Sequence, residues 1–249
     1  MRLRALLAAA VLTTATIATA PAAFAAPGIA HGSDVPPGQF GFVAKLAMTK
    51  IPRPDGSTYS SYCTGSLIAP GWVLTTGHCF HDANRNRVGG KVPYPTTVTL
   101  GLVDEAMESG IARRVTEVLQ AKENDVALAR LDTPVTTVTP LRVDRAAPKV
   151  GQELILAGWG STTSTNPTPA SRMQQGTVAV AKVEPTTVGV RGAAPEITTS
   201  ACTYDSGAPY FTDGELVAVE ATGPGCPHAG IETASRADVL AAWVAKSTA

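Results

Sequence analysis

The chain has 249 residues, and its 20 lysines and arginines balance its 20 aspartates and glutamates. A formal net charge of zero provides no basic field, so nucleic acid and anionic membrane surfaces are excluded as partners recognised by bulk charge. With 23 glycines, 19 prolines and only 16% charged residues, the composition favours many short elements joined by turns over a helical bundle.

The chain begins with the pattern of an export signal. Arg2 and Arg4 supply a positive start, residues 5–20 an apolar stretch, and residues 23–25 (Ala-Phe-Ala) a small-residue cleavage site. The stretch is too short and too rich in threonine for a membrane anchor. We therefore predict a signal peptide over residues 1–25 and an extracellular protein with no membrane association after its removal.

Two series of short apolar runs, bounded by turn signals such as Pro70-Gly71, predict two halves of antiparallel β-structure. A connector over residues 131–151, with three prolines, places a domain boundary near residue 140. The first series comprises residues 42–48, 65–69, 72–76, 96–101 and 125–131, and the second comprises residues 153–158, 177–183, 188–192 and 215–221.

The last segment, residues 235–246 (SRADVLAAWVAK), has helical periodicity. Ser235 and Asp238 match a capping box, which predicts that the helix starts there. The apolar residues of one predicted face are Val239, Leu240, Trp243 and Val244. The sequence therefore predicts an all-β protein with one closing helix.

Export places the four cysteines in an oxidising compartment, where an even number usually forms disulfides. Four cysteines allow three pairings, and the local choice joins Cys63 to Cys79 and Cys202 to Cys226. Each local loop is worth about 3 kcal/mol of stability. The cysteine and histidine spacings are not those of zinc sites, so we expect no metal and no cofactor.

The tripeptide Asp-Ser-Gly at residues 205–207 contains a candidate nucleophile, Ser206. Taken alone, these residue types are those of an ordinary tight turn. A serine hydroxyl becomes an effective nucleophile when a histidine takes its proton and a carboxylate orients that histidine. The question is therefore whether the chain supplies both partners.

Among the histidines, His78 stands out because it ends an apolar strand and adjoins a cysteine. The other three, His31, His81 and His228, lie in polar or turn segments and are interpreted as surface histidines. Asp125 begins an apolar alternating run, where its carboxylate would be partly buried and need a partner. Taken alone, Asp125 is better explained as a residue that bonds its own backbone at a strand start.

Taken together, three segments resemble the trypsin-like (chymotrypsin-fold) serine proteases, of the secreted bacterial type. Residues 61–79 (SYCTGSLIAPGWVLTTGHC) are similar to the family's histidine segment, with Gly77 where alanine is usual. Residues 124–131 (NDVALARL) match the aspartate segment, and residues 202–209 (CTYDSGAP) match the nucleophile segment. The similarity extends over about residues 29–249, and the order histidine, aspartate, serine is that of this family.

The resemblance implies two antiparallel six-stranded β-barrels, over residues 29–140 and 141–249, with the site between them and the closing helix at the end. It implies a monomeric serine endopeptidase that cleaves protein or peptide substrates through an acyl-enzyme. Ser206 would be the nucleophile, His78 the base, and Asp125 the residue that orients it. The resemblance also implies both local disulfides.

Activation in this family pairs a new amino terminus with the aspartate before the nucleophile. The resemblance assigns these roles to Ile29 and Asp205, which makes residues 26–28 a short propeptide of a zymogen. Residue 28 is glycine and not arginine or lysine, so a trypsin-type activator is not implied.

The family's oxyanion hole uses the backbone N–H groups of the nucleophile and of a glycine two residues earlier, which is Tyr204 in this chain. Tyr204 must either accept a strained backbone or turn its peptide away and lose one donor. The alternative to an active protease is therefore a catalytically impaired homologue that binds a protein partner through the same groove.

For the specificity pocket, the resemblance places Ser200 at the base and Gly223 and Gly230 along the walls. A serine at the base argues for a large apolar or aromatic side chain before the scissile bond. Glu220 and Glu232 lie close to the same pocket and would favour a basic residue instead, unless both face solvent from their strands.

Overall fold

The computed structural model describes residues 29–107 and 110–249, so the predicted signal peptide and propeptide lie outside the described residues. One α-helix, α1 (Ala241–Ser247), and a single 3-10 turn, Gly77–Cys79, accompany the strands in this part of the chain. The strands are β1 (Ser33–Asp34), β2 (Val43–Pro52), β3 (Thr58–Ala69), β4 (Trp72–Thr75), β5 (Gly90–Lys91), β6 (Thr96–Leu100), β7 (Ile111–Gln120), β8 (Ala127–Leu131), β9 (Arg142–Val143), β10 (Glu153–Gly158), β11 (Gln174–Val183), β12 (Thr187–Ala194), β13 (Pro209–Thr212), β14 (Glu215–Thr222) and β15 (Glu232–Arg236).

The first sheet closes into a six-stranded antiparallel barrel. Its strands run in the order β7, β6, β2, β3, β4, β8, and β7 pairs again with β8 to close the ring, while β5 adds to the outer edge of β7. Alternate positions of each strand point inwards and bury apolar side chains. The fully buried members of this interior include Leu46, Leu67, Val73, Val98 and Val118.

The second sheet forms another closed antiparallel barrel, with strands in the order β11, β10, β13, β14, β15, β12 and a closing pair between β11 and β12. β9 pairs in parallel with β14, and β1 pairs with β11, so residues 33–34 lie on the second sheet. The architecture predicted from the family resemblance is confirmed. The exact division at residue 140 stays a prediction.

An apolar layer joins the two barrels to each other and to α1. The ring of Phe211 lies 4.9 Å from that of Phe40 and 5.2 Å from that of Phe42, both in edge-on contact. Val43 and Leu74 of the first sheet belong to the same buried cluster as Trp159, Leu216, Leu240 just before α1, and Val244 of α1. The cleft between the barrels therefore has a continuous hydrophobic support.

The closing helix is shorter than predicted. It begins at Ala241, because Ser235 is still paired in β15 and the Asp238 carboxylate is held by Arg236 at 2.6 Å. The predicted capping box is therefore wrong, and Val239 is 43% exposed and does not lie on the buried face. Within the described ranges, no helix has the length and apolar character to cross a bilayer.

Candidate active site

His78 and Asp125 meet at the rim of the first barrel. The 3-10 turn Gly77–Cys79 follows β4, and Asp125 precedes β8, which is paired with β4. His78 Nδ1 lies 2.6 Å from Asp125 Oδ2, and the His78 backbone N–H donates to Asp125 Oδ1 at 2.9 Å. One carboxylate therefore fixes both the ring and the backbone of His78.

Arg87 is a third member of this cluster that the sequence did not reveal. Its Nη1 lies 3.6 Å from Asp125 Oδ1 and donates to the Asn124 carbonyl at 2.5 Å. Burial acts to raise the pKa of Asp125, but the hydrogen bonds and charge of His78, together with the charge of Arg87, lower it below its usual 3.8. The carboxylate is therefore ionised at neutral pH.

The side chains of Gln120 and Arg87 explain the unusual Gly77. A Cβ at position 77 would collide with Gln120 Oε1 and lie 2.8 Å from Arg87 Nη1. Gln120 Nε2 also donates to the Gly77 carbonyl at 3.0 Å. The glycine therefore makes room for the two polar side chains that support the histidine turn.

Ser206 lies on the same cleft as the histidine and the aspartate. A cavity of about 660 Å³ is lined by His78, Asp125 and Ser206, and by residues 221–223 at the end of β14. Among the described residues, no hydrogen bond joins His78 Nε2 to Ser206 Oγ. The structure thus brings the three predicted residues to one cavity, with the base and the nucleophile not yet in hydrogen-bond contact.

Tyr204 accepts the strained backbone, which was the first of the two alternatives. Its φ is +80°, a left-handed value that costs a side-chain-bearing residue about 1–3 kcal/mol. In the turn that follows, the N–H of Asp205 donates to Cys202 O and that of Gly207 to Glu220 O. In the described part of the chain, the N–H groups of Tyr204 and Ser206 donate to no acceptor.

Thr64 of β3 holds this strained turn from the first barrel. It is fully buried, and its Oγ1 donates to the Tyr204 carbonyl at 3.1 Å and accepts from the Trp159 N–H at 3.2 Å. Its backbone N–H donates to Ser206 O at 3.0 Å. Next in the turn, Gly207 has φ +90°, and a Cβ there would collide with the Thr64 carbonyl. Thr64 therefore fixes the carbonyls on both sides of Asp205.

Removing the Thr64 hydroxyl tests this role. We expect Thr64→Val to lower the free energy of unfolding by about 1–3 kcal/mol, because it leaves the part-buried Tyr204 carbonyl and the buried Trp159 N–H with one partner fewer. Urea unfolding measures the effect. Thr97→Val, at an exposed position of β6, is the matched control and should change stability by less than about 0.5 kcal/mol. Equal stability of the two variants would contradict the role.

Asp205 is fully buried, and its carboxyl accepts hydrogen bonds from Gly160 N–H at 2.8 Å and Cys202 N–H at 3.0 Å. Burial raises the pKa of Asp205 well above its usual value despite these two bonds, and the nearby Glu232 adds to the rise. Within residues 29–107 and 110–249, Asp205 forms no ion pair. Without a cationic partner among these residues, burial favours the neutral form of this carboxyl.

Ile29 lies close to this carboxyl and is also fully buried. A Cβ at Gly158 would touch both residues, colliding with Asp205 Oδ1 and lying 3.4 Å from Ile29 Cδ1. Ala30 is paired with Ser200 through two backbone hydrogen bonds of 3.0 and 3.1 Å. The segment that begins at Ile29 is thus already fixed to the second barrel beside Asp205.

The structure pairs the cysteines in the local way, Cys63 with Cys79 and Cys202 with Cys226. The first disulfide joins β3 to the turn that carries His78. The second joins the segment before Ser206 to the one after β14. His78 and Ser206 thus both lie on cross-linked segments.

A protein-family model described as Trypsin matches residues 29–244. The chain belongs to the trypsin family. It is 27% identical over 185 residues to "Serine protease 1" of Canis lupus familiaris, a match that covers 68% of this chain and 72% of that protein. It is 25% identical over 185 residues to "Trypsin-1" of Salmo salar, with 68% and 73% covered.

Solved structures of the same fold are also similar to this trypsin-family chain. Neuropsin, a serine protease of mouse brain, has a TM-score of 0.71 at 21% identity and covers 89% of this chain and 100% of its own. Human heparin binding protein has a TM-score of 0.70 at 22% identity, with 88% and 96% covered. The relatives named are animal proteins, so they do not support the predicted bacterial type.

Only one of the three predicted specificity residues of this trypsin-family chain lines the cavity. Gly223 lines it, whereas Ser200 and Gly230 are not among its lining residues. Ser200 is 1% exposed, and its Oγ accepts the N–H of His228 at 3.4 Å. The base position of the pocket is therefore covered.

Two of the three histidines interpreted as surface residues are buried, so that interpretation is wrong for them. His81 is 4% exposed, and its ring nitrogens contact the Asp82 carbonyl at 2.6 Å and the Tyr59 hydroxyl at 3.3 Å. The side chain of His228 is 10% exposed. Polar sequence surroundings did not indicate burial, because the covering residues come from distant segments.

Glu220 and Glu232 do not face solvent, which excludes the surface alternative for them. They are 4% and 1% exposed, and the Tyr210 hydroxyl lies 2.7 Å from Glu220 Oε2 and 2.6 Å from Glu232 Oε2. A hydroxyl carries one proton and donates to only one of the carboxyls, so the cluster requires one further proton. Burial, reinforced by the charge of Glu232, raises the pKa of Glu220 well above its usual value.

Proposed function

We propose that this trypsin-family chain is a secreted, monomeric serine endopeptidase that hydrolyses protein or peptide substrates through an acyl-enzyme. The observation that carries the proposal is the paired contact of one Asp125 carboxylate with the ring and the backbone of His78, on the cavity that Ser206 also lines. Secretion is supported by the predicted signal peptide and by the two disulfides.

The proposed reaction begins when Ser206 Oγ attacks the carbonyl carbon of the scissile peptide. The Asp125 carboxylate accepts a hydrogen bond from the Nδ1–H of His78, which leaves Nε2 as the base that takes the serine proton. The same proton then passes to the leaving amine, and an ester of Ser206 remains. Water, activated by His78, hydrolyses that ester. The reaction uses protein groups and water alone, without a metal or cofactor.

The developing oxyanion is stabilised by the N–H groups of Tyr204 and Ser206, both without a partner among the described residues. Each such donor is typically worth about 10²–10³ in rate. The base and the nucleophile close to hydrogen-bond distance in the substrate complex, as catalytic contacts that are loose in free enzymes commonly do. In this proposal Tyr204 takes the place of the usual glycine as a donor.

We further propose that cleavage between Gly28 and Ile29 completes the site. Before cleavage the Ile29 nitrogen is part of the peptide bond with Gly28. Cleavage converts it into an ammonium beside the buried Asp205 carboxyl. That ammonium supplies the cationic partner that Asp205 lacks within the described residues. Since Asp205 lies between the two oxyanion donors, pairing it orders the turn that carries them.

Activity of the cleaved chain should fall in alkali. An α-amine titrates near a pH of about 8, and pairing with a buried carboxylate shifts that titration upwards. The ammonium is charged below its pKa, so activity is present there and is lost as the pH rises through it. The measurement is the pH profile of kcat/KM for a chain starting at Ile29. A chain starting at Ala26 with equal activity would contradict the activation proposal.

The acyl-enzyme itself is tested with p-nitrophenyl acetate. We expect a burst of about one nitrophenol per active chain, followed by slow turnover, because acylation outruns deacylation with such esters. Ser206→Ala should give no burst. A correctly processed chain that binds peptides but shows neither burst nor peptide hydrolysis would instead be the impaired homologue.

A further inference from the structure

The imidazole of His228 lies between the two glycines that were expected to form the walls of the specificity pocket. A Cβ built on Gly223 would lie 3.5 Å from His228 Nε2 and 2.9 Å from Glu232 Cγ. A Cβ built on Gly230 would lie 3.4 Å from His228 Nδ1 and 3.1 Å from Pro224 Cγ. The ring therefore spans the gap between the glycines, which is filled by protein atoms.

Several contacts hold the His228 ring in this position. The Gly230 N–H donates to Nδ1 at 3.1 Å, so the ring proton is on Nε2, which lies 3.4 Å from Glu232 Oε1. The His228 N–H donates to the Ser200 hydroxyl. Two residues earlier, Cys226 is tied by its disulfide to the segment that precedes Ser206. The side chain is nine-tenths buried, so the ring is enclosed by its neighbours.

The cavity beside Ser206 does not reach this ring. Its lining includes Ala201, Cys202, Glu220 and Gly223, but not Ser200, His228 or Gly230. The imidazole and the Glu232 side chain occupy the space between the two glycines. A long side chain that entered this space would have to displace the ring.

We propose that His228 is a specificity-determining residue that restricts the substrate residue before the scissile bond to small side chains, glycine, alanine or serine. The inference rests on the proposed endopeptidase function, since it concerns the substrate of that same site. It replaces the expectation of a large apolar residue.

Larger side chains are disfavoured for physical reasons that differ with their chemistry. A phenyl ring would have to expel the buried imidazole and leave Glu232 against an apolar surface without that neighbour. A lysine would have to displace the ring and to compete with the Tyr210 hydroxyl, which already contacts the carboxyls of both Glu220 and Glu232.

Three peptide substrates that differ only in the residue before the scissile bond, alanine, phenylalanine or lysine, test the inference. We expect kcat/KM of the wild-type chain to be at least about ten-fold higher for alanine than for the other two, the usual scale for a misfitting side chain. His228→Gly should raise kcat/KM for phenylalanine at least about ten-fold and change that for alanine by less than about three-fold. His31→Gly, at a half-exposed surface histidine, is the matched control and should keep the wild-type order.

A fluorophosphonate that reacts with Ser206 distinguishes a failure of the His228 inference from a failure of the proposed endopeptidase function. A processed wild-type chain that reacts but prefers phenylalanine or lysine overturns the His228 inference alone, and so does an unchanged preference in a reactive His228→Gly chain. A wild-type chain that does not react overturns the proposed function and the inference with it. If His228→Gly does not fold, the wild-type order and the His228→Ala variant decide, because the milder truncation also opens the gap.

Discussion

Alanine at position 206 is expected to lower kcat for peptide hydrolysis by about 10⁶-fold, the usual loss when the nucleophile of such a triad is removed. The same loss is expected for His78→Ala. The double variant should be no slower than either single one, because the two residues act as a unit in one proton transfer.

Hydrolysis of a fluorogenic peptide with alanine before the scissile bond measures this loss in the chain starting at Ile29. Ser171→Ala is the matched control, since Ser171 is exposed, and its kcat should equal that of the wild type. A Ser206→Ala chain that keeps a tenth or more of the activity, once purified free of wild type, would exclude Ser206 as the nucleophile.

Asparagine at position 125 should produce the next largest effect, a fall in kcat of about 10⁴-fold at neutral pH. The amide keeps an oxygen for the His78 N–H but cannot hold the ring in the tautomer that leaves Nε2 as base, and it removes the charge that stabilises the imidazolium. The fold should survive because the backbone contact between the two residues is retained. Steady-state kinetics and thermal unfolding separate the two effects.

Asp132→Asn provides the control for that experiment. Asp132 also pairs with a cation, Arg114 at 3.0 Å, but on the surface of the first barrel, where such pairs contribute little. Its kcat should stay within about two-fold of wild type, since surface substitutions change little. A loss below about 100-fold for Asp125→Asn would mean that another group orients His78.

Most of the strands could be predicted from the sequence. A strand of a closed barrel buries alternate apolar side chains, and runs such as residues 153–158 show that pattern. β7 was missed because its outward positions carry charged and polar side chains that dilute the apolar pattern, as in Arg113 and Glu117. The helix start was misplaced because local capping chemistry at Ser235 was overridden by strand pairing in β15.

The sequence predicted the candidate triad because each of its three residues lies in a short motif. It did not predict the residues that hold the triad in place. Arg87 and Thr64 act through contacts with residues far along the chain, and no local pattern encodes such contacts. The burial of Glu220, Glu232 and His228 likewise arises when the second barrel closes around Tyr210 and places the segment after Cys226 against Ser200.

The most direct test of the central claim, an imidazole-activated serine at position 206, is mass spectrometry of the chain starting at Ile29 after reaction with a fluorophosphonate. We expect one adduct per chain on Ser206, slow labelling in Asp125→Asn and none in Ser206→Ala. No adduct on the processed chain, or an adduct on a different residue, would contradict the claim.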